Sequence, residues 1–215
     1  MPAEGRLVTE LFDALGGEVV VEAAPIFADA DLLLPEERAH VEKAVEKRVR
    51  EFATGRVLAR RALARLGRTP TAIPVGPDRA PVWPDDVLGT ITHTRSLCAV
   101  ACSTPERVRS LGLDVERVRD MKPGLAERIL RPEELESRGD RPTLAYFCAK
   151  EAVYKCQHPL SGQFLEFQDV SIEFDPDLSS FEATIHVCED DRPWKRISGR
   201  FAMTSEHAIA ATLLR

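Results

Sequence analysis

The sequence predicts an α+β fold built as a pseudo-two-fold duplicate, two similar α/β halves with a cleft between them. Three observations carry that prediction. Segments with the two-residue period of strands flank longer segments with helical spacing. This order of strands, helices and strands then occurs a second time. The 215 residues, 44% apolar and 30% charged, suffice for one large domain or two small ones around a packed core. No sequence repeat accompanies the repeated order, so the likeness of the halves is one of layout. The expected division is 1–107 and 108–215, and a cleft between such halves is a common place for a ligand.

The elements follow in order. Glu18–Glu22 and Pro25–Phe27 read as strands from their short apolar runs. Pro35 opens a helix, with Glu36 and Glu37 in the first turn where negative charge is favoured. Helical spacing continues to Leu66, and Gly67 supplies a stop. Thr54-Gly55 marks a break in that helix or a close approach to it. Thr69–Pro84 holds five prolines and one glycine and is therefore a loop. Gly89–His93 and Leu97–Ala101 form two strands around the turn Thr94-Arg95-Ser96, and Thr104-Pro105-Glu106 turns again. Leu111, Leu113 and Val115 alternate with Gly112, Asp114 and Glu116, the period of a half-buried strand. Helices cover Leu125–Leu130, a segment from about Pro132, and Pro142–Cys156. Strands close the chain at Val170–Phe174, Phe181–Val187, Ile197–Met203 and Ala208–Leu214.

Bulk properties exclude several classes. The net charge of −6 argues against nonspecific binding to nucleic acid. The charge is uneven, with nine Lys or Arg and only two Glu between Lys43 and Arg68, a basic face suited to a small polyanion. No apolar run approaches the roughly 20 residues that cross a membrane. The first residues lack the basic-then-apolar layout of a signal peptide, so a cytoplasmic location is expected. The five cysteines form no CxxC pair and read as small buried hydrophobes in a reducing compartment.

The chemistry concentrates in two acidic clusters. On a strand, Asp114 and Glu116 point the same way while Leu113 and Val115 pack inward, and Gly112 leaves space beside them. Two carboxylates on one face repel unless a cation or proton intervenes, and oxygen ligands suit Mg²⁺. A solvated acidic face paired with Arg117 and Arg119 accounts for the same spacing. Phe147–Lys155 reads as a largely packed helix carrying Lys150, Glu151 and Lys155. A lysine there can hold a phosphate, and a glutamate can act as base or metal ligand. A helix-surface ion pair between Glu151 and Lys155 is the bland alternative. His93 ends a strand before a turn. Arg48, Arg56 and Arg60 share one helical region and Arg79 lies in the proline-rich loop. These basic groups form a solvated face or a clamp for an exposed phosphate. No GxGxxG, Walker loop, HExxH or GxSxG is present.

Five blocks in order, Gly55–Leu63, the Gly76–Pro84 loop with Trp83-Pro84-Asp85, Gly89–His93, Gly112–Glu116 and Phe147–Lys155, resemble the 4′-phosphopantetheinyl transferases. The likeness is to the surfactin-type group, nearest the branch typified by enterobactin synthetase component D. It implies transfer of 4′-phosphopantetheine from coenzyme A to a serine hydroxyl of an apo acyl, peptidyl or aryl carrier protein, with 3′,5′-ADP leaving. It implies that Asp114 and Glu116 bind Mg²⁺, or Mn²⁺ in its place. Glu151 then completes the metal shell or takes the serine proton, and Lys155 steadies charge on the transferring phosphate. His93 and Thr92 contact phosphate oxygens. Arg48, Arg56 and Arg79 hold the 3′-phosphate and adenine end in the first half, while the metal and catalytic residues lie in the second. Glu134, in Leu130–Leu135, is a further candidate metal ligand, with Glu133 equally placed. The role of Arg60 stays open between packing and binding. Phe147 stands where relatives often carry Trp, and Thr94 where His-Cys is common. The expected partners are the carrier protein and coenzyme A, with no nucleic acid or membrane, and the expected state is a monomer. Two other readings use the same residues: a non-enzymatic coenzyme A or nucleotide-binding module, and a metal-dependent phosphohydrolase, for which no water-positioning motif is evident.

Overall fold

The computed structural model describes residues 1–215. Its elements are α1 (Ala3–Ala14), β1 (Val20–Pro25), α2 (Pro35–Arg38), α3 (Glu46–Arg65), β2 (Leu88–His93), β3 (Leu97–Ser103), β4 (Ser110–Arg117), α4 (Ala126–Ile129), α5 (Pro132–Ser137), α6 (Thr143–Ser161), β5 (Val170–Phe174), β6 (Ser180–Ile185), β7 (Arg196–Met203) and β8 (His207–Leu214). Two antiparallel sheets form, in the orders β1-β3-β2 and β4-β8-β7-β6-β5. The first three strands of the second sheet repeat the order of the first. Each sheet packs against one long helix, α3 on the first and α6 on the second. The expected α+β duplicate is therefore present, with β5 and β6 added to the second copy.

A side-chain device is duplicated too. Glu37 and Glu134 each occupy the third position of a short helix opened by proline, and each caps that helix through its own carboxylate. Glu37 is fully buried and accepts Arg60 of α3 and the Ile73 N–H. Glu134 is 3% exposed and accepts Lys150 of α6 and the Ile172 N–H. Arg60 also donates to the Leu32 carbonyl and Lys150 to the Ile129 carbonyl, five residues before the respective glutamate. The short repeat Leu34-Pro35-Glu36-Glu37 and Arg131-Pro132-Glu133-Glu134 is what a whole-chain comparison misses. Burying a charge is costly unless it is paired and hydrogen-bonded, and both copies meet that condition.

Some elements differ from expectation. The first residues form α1 because Gly5, Val8, Leu11 and Phe12 fall on one buried face at helical spacing. The two short strands expected at 18–27 are one strand, Val20–Pro25. The helix expected from Pro35 to Leu66 breaks after Arg38 and restarts at Glu46, so that Val41 folds in beside Leu33, Phe52 and Ala53. Gly112 does not leave space beside the acidic pair: α6 fills it. A Cβ at 112 would strike the Ala152 carbonyl oxygen and lie 2.9 Å from the Cys156 nitrogen, so only glycine admits the helix backbone. One core joins both sheets, since Val8 and Phe12 of α1 pack with Ala99, Leu113 and Ile209.

Candidate active site

β4 alternates as its sequence requires. Leu111, Leu113 and Val115 enter the shared core. Asp114 and Glu116 turn toward α6 and β2. Asp114 is 4% exposed; its Oδ1 accepts the Lys155 ammonium at 2.6 Å and the Thr92 hydroxyl at 3.2 Å. Thr92 in turn accepts the Val115 N–H at 3.2 Å, stitching β2 to β4 across the two halves. The Lys155 ammonium also donates to the Leu113 carbonyl at 3.1 Å. The second oxygen of Asp114, Oδ2, is buried with no partner.

Like charges crowd this point. Burial, and next the Asp114 charge, push the Glu116 carboxyl up to about 6. The same two causes raise Glu151, against the pull of Lys155. Burial acts to lower Lys155, but Asp114, Glu151 and the hydrogen bond outweigh it, so the ammonium is held above its ordinary value. No choice of one oxygen from each of Asp114, Glu116 and Glu151 brings all three within 4.8 Å of one another. Lys155 is the cation that Asp114 meets. The donor set is all oxygen, and one of its members, Asp114 Oδ2, is buried without a hydrogen-bond partner, which fits a hard divalent cation.

α6 sorts its charged residues by face. Cys148, Ala149, Ala152, Val153 and Cys156 pack inward. Lys150 and Lys155 lie five residues, about 140°, apart around the axis. Lys150 is consequently removed from the phosphate role its sequence position suggested. It is 3% exposed and its three hydrogens go to Ile129 O, Glu134 Oε2 and Phe167 O at 2.7–2.9 Å. Glu134 is likewise not brought to Asp114. Both its oxygens are taken, Oε1 by the Ile172 N–H and Oε2 by Lys150 and the Arg131 N–H. Glu133 is exposed and paired with Arg131. Arg60 packs on Glu37, as above.

The basic residues gather at a second point. Arg48, Arg56, Arg79 and His93 line a cavity of about 340 Å³ with Phe52 and Gly55. Arg48, Phe52 and Arg56 stack one helical turn apart on α3, and the Arg56 guanidinium lies 4.0 Å over the Phe52 ring. Burial lowers Arg56 to about 10, which leaves it charged at neutral pH, and its Nε has no partner. Arg48 donates to His93 Nε2 at 2.7 Å. Since a guanidinium only donates, this assigns the His93 proton to Nδ1, which faces the Glu51 carboxylate at 3.7 Å. Burial, then Arg48 and Lys155, lower the His93 pKa against the pull of Glu51. Glu51, 7% exposed, escaped the sequence reading although it shares the helical face of Arg48 and Phe52.

Arg79 joins this cavity to a larger one of about 680 Å³, lined by Trp83, Thr90, Glu151, Tyr154, Lys155 and His158. Arg79 is exposed and stands at φ 68° in the turn closed by Gly76 and Ala80, a backbone that costs an arginine energy. Glu151 and Tyr154 also border an apolar groove of about 800 Å³ formed by Met121, Leu125, Leu144, Phe147, Phe164 and Phe167. No local pattern reveals that groove, because its residues come from three separated segments. Arginines, Glu151 with Lys155, and an apolar groove thus succeed one another through the shared lining residues Arg79, Glu151 and Tyr154, a layout for a ligand with phosphates at one end and an uncharged chain at the other.

Comparison with known proteins agrees. The model of the 4′-phosphopantetheinyl transferase N-terminal domain matches residues 36–103, and that of the 4′-phosphopantetheinyl transferase superfamily matches residues 110–212. The chain is 40% identical over 164 residues to 4′-phosphopantetheinyl transferase Svp of Streptomyces mobaraensis, covering 73% of this chain and 67% of Svp. It is 37% identical to 4′-phosphopantetheinyl transferase Npt of Nocardia iowensis, covering 71% and 72%. It is 31% identical to enterobactin synthase component D of Escherichia coli strain K12, covering 67% and 72%. With both halves matched in order and the cleft between them so furnished, this chain belongs to the 4′-phosphopantetheinyl transferase superfamily.

Proposed function

We propose that the cleft works as a Mg²⁺-dependent, holo-carrier-protein-forming transferase site, with Mn²⁺ as a substitute metal. The reaction moves 4′-phosphopantetheine from coenzyme A to a serine hydroxyl of an apo acyl, peptidyl or aryl carrier protein. A bond forms from the serine oxygen to the pantetheine-bearing phosphorus, the pyrophosphate bridge breaks, and 3′,5′-ADP leaves. The observation that carries this reading is the continuity of the cleft, in which Arg79 borders both the arginine cavity and the cavity holding Glu151 and Lys155.

In the first half, 1–107, Arg48, Arg56 and Arg79 take the 3′-phosphate and adenine end of coenzyme A, and His93, held neutral, offers its ring to phosphate oxygens. Thr92 acts here by holding Asp114 as well as by lying near the phosphates. In the second half, 108–215, Asp114, Glu116 and Glu151 hold the metal. The orphaned Asp114 Oδ2 supports that assignment. A Mg²⁺ held by these carboxylates would supply Lewis-acid withdrawal of charge from the pyrophosphate. Lys155 steadies negative charge on the transferring phosphate. Glu151, made more basic than an ordinary carboxylate by burial and Asp114, receives the serine proton directly or through water, or completes the metal shell. The chain works as a cytoplasmic monomer without nucleic-acid or membrane partners; no helix is long and apolar enough to cross a membrane.

Purified protein, coenzyme A, Mg²⁺ and an apo carrier should give a carrier heavier by one phosphopantetheine in intact-mass spectra. Tight coenzyme A binding with no mass gain across several carriers would instead establish a non-enzymatic binding module.

A further inference from the structure

On the far side of β4 from the cleft, a second set of ligating groups converges. Glu4 lies in the first turn of α1, and Glu206 and His207 lie where the β7–β8 turn enters β8. One ligand atom from each falls within 4.8 Å of the other two, and no other three His, Cys, Asp or Glu side chains in the chain do so. His207 is 3% exposed, and neither ring nitrogen has a hydrogen-bond partner. Its Nδ1 lies 3.3 Å from Glu4 Oε1 without the geometry of a hydrogen bond.

A buried imidazole with both nitrogens unpaired demands an explanation, because native interiors rarely leave such groups unsatisfied. Thr204 holds the backbone that carries two of the three residues, its hydroxyl accepting the N–H groups of both Glu206 and His207. The carboxylates also lack cationic company: no Lys or Arg lies within 4.0 Å of Glu4 or Glu206, and Arg117, the register partner of His207 on β4, forms no ion pair. Two carboxylates and a buried imidazole therefore converge on one point with no Lys or Arg beside them.

The spacing is that of a small tetrahedral ion. Ligand bonds of about 2.0–2.1 Å place neighbouring ligand atoms about 3.4 Å apart on a tetrahedron. The His207 Nδ1 to Glu4 Oε1 distance of 3.3 Å already matches one such edge. Glu206 is exposed on its turn, and its ligand atom lies within 4.8 Å of the other two. One nitrogen and two carboxylate oxygens suit a borderline first-row ion, with water in the fourth position, and differ from the all-oxygen set of the cleft.

We propose that Glu4, Glu206 and His207 form a Zn²⁺-type divalent-cation site that fastens α1 to the β7–β8 turn. The consequence is structural. α1 packs on β1 of one sheet and on β7 and β8 of the other, and Val8 and Phe12 sit in the core that joins them, so an ion at its first turn locks the two halves together.

The test compares the full chain with Glu4→Gln/Glu206→Gln, which retains side-chain volume at both positions. Zn²⁺ is titrated against a competing chelating dye, and melting is followed with and without Zn²⁺. The wild-type chain should bind one more Zn²⁺ than the double variant, or bind it at least tenfold more tightly, and Zn²⁺ should raise its Tm while leaving that of the variant nearly unmoved. Coenzyme A affinity should be equal in the two proteins, which separates this site from the cleft. Co²⁺ bound to the wild type should show visible bands of tetrahedral intensity, absent in the double variant. Equal Zn²⁺ stoichiometry, affinity and Tm shift in the two proteins overturns the proposal. Should the double variant fail to fold, Glu206→Gln alone, at an exposed turn, gives the same comparison.

Discussion

Replacing Lys150 with methionine should cost stability, and replacing Lys155 with methionine should cost turnover, although the two lysines lie in one short motif. The Lys150 ammonium is 2% exposed and makes three hydrogen bonds, to Ile129 O, Phe167 O and Glu134 Oε2. Methionine fills similar volume but leaves Glu134 as a buried carboxylate without its cation. Breaking a buried pair this way costs about 3–5 kcal/mol. Glu134 keeps the N–H groups of Arg131 and Ile172, which places the loss near the lower end, about 3 kcal/mol. For a chain of this size each kcal/mol moves Tm by roughly 2–4 °C, giving a drop of about 6–12 °C. Urea unfolding followed through Trp83 and Trp194 fluorescence, with turnover measured well below the melting range, checks both quantities. Lys155→Met also removes the cation of a buried carboxylate, Asp114, and should lose stability as well, but unlike Lys150→Met it should lose about 10²–10³ in kcat. A Lys150→Met loss under about 1 kcal/mol with unchanged denaturant slope, or a kcat loss as large as that of Lys155→Met, would refute the assignment of Lys150 to the core.

Arg60→Met should repeat the Lys150 result, because Arg60 holds Glu37 in the same way; urea midpoints compare the pair directly. Arg56→Met should weaken coenzyme A binding by about 10–100-fold and leave dephospho-coenzyme A nearly unaffected, as calorimetry would show, if the arginine cavity takes the 3′-phosphate. His93 has a depressed pKa in the folded chain. As pH falls below its unfolded value of about 6.5, the unfolded chain takes the proton first, so stability present above that pH declines until the folded value is reached and then levels. Glu116 and Glu151, raised in the folded chain, act in the opposite sense over the same window, so the His93 contribution is read as the difference between wild-type and His93→Gln melts from pH 5 to 7.5, with the variant losing less stability as pH falls. Gly112→Ala should yield little folded protein, since its Cβ meets the backbone of α6 and not a movable side chain.

Much of this molecule was legible without coordinates. Strand and helix periods located β2 to β8, α6 and most of α3, because burial of one face writes a period of 2 or 3.6 into the sequence. Residue type and spacing singled out Asp114, Glu116, Glu151, Lys155, His93 and the arginines as candidates, and the roles expected of them came from the ordered resemblance to the transferases. What the sequence left open was settled by three-dimensional neighbours. Lys150 and Lys155 look alike in the motif, and only the angle between them around α6 sends one to Glu134 and the other to Asp114. Glu134 has the residue type of a metal ligand, yet its lone pairs are consumed by Lys150 and two backbone N–H groups. Gly112 reads as space from the strand alone, and as contact once α6 lies on it. The Glu4, Glu206 and His207 set joins residues some 200 positions apart, and no local period records so distant a meeting. Local physics determined which elements form and which groups are reactive; the packing of α1, α3 and α6 onto two sheets decided which of those groups meet, because charge pairing, lone-pair use and steric exclusion are properties of neighbours in space.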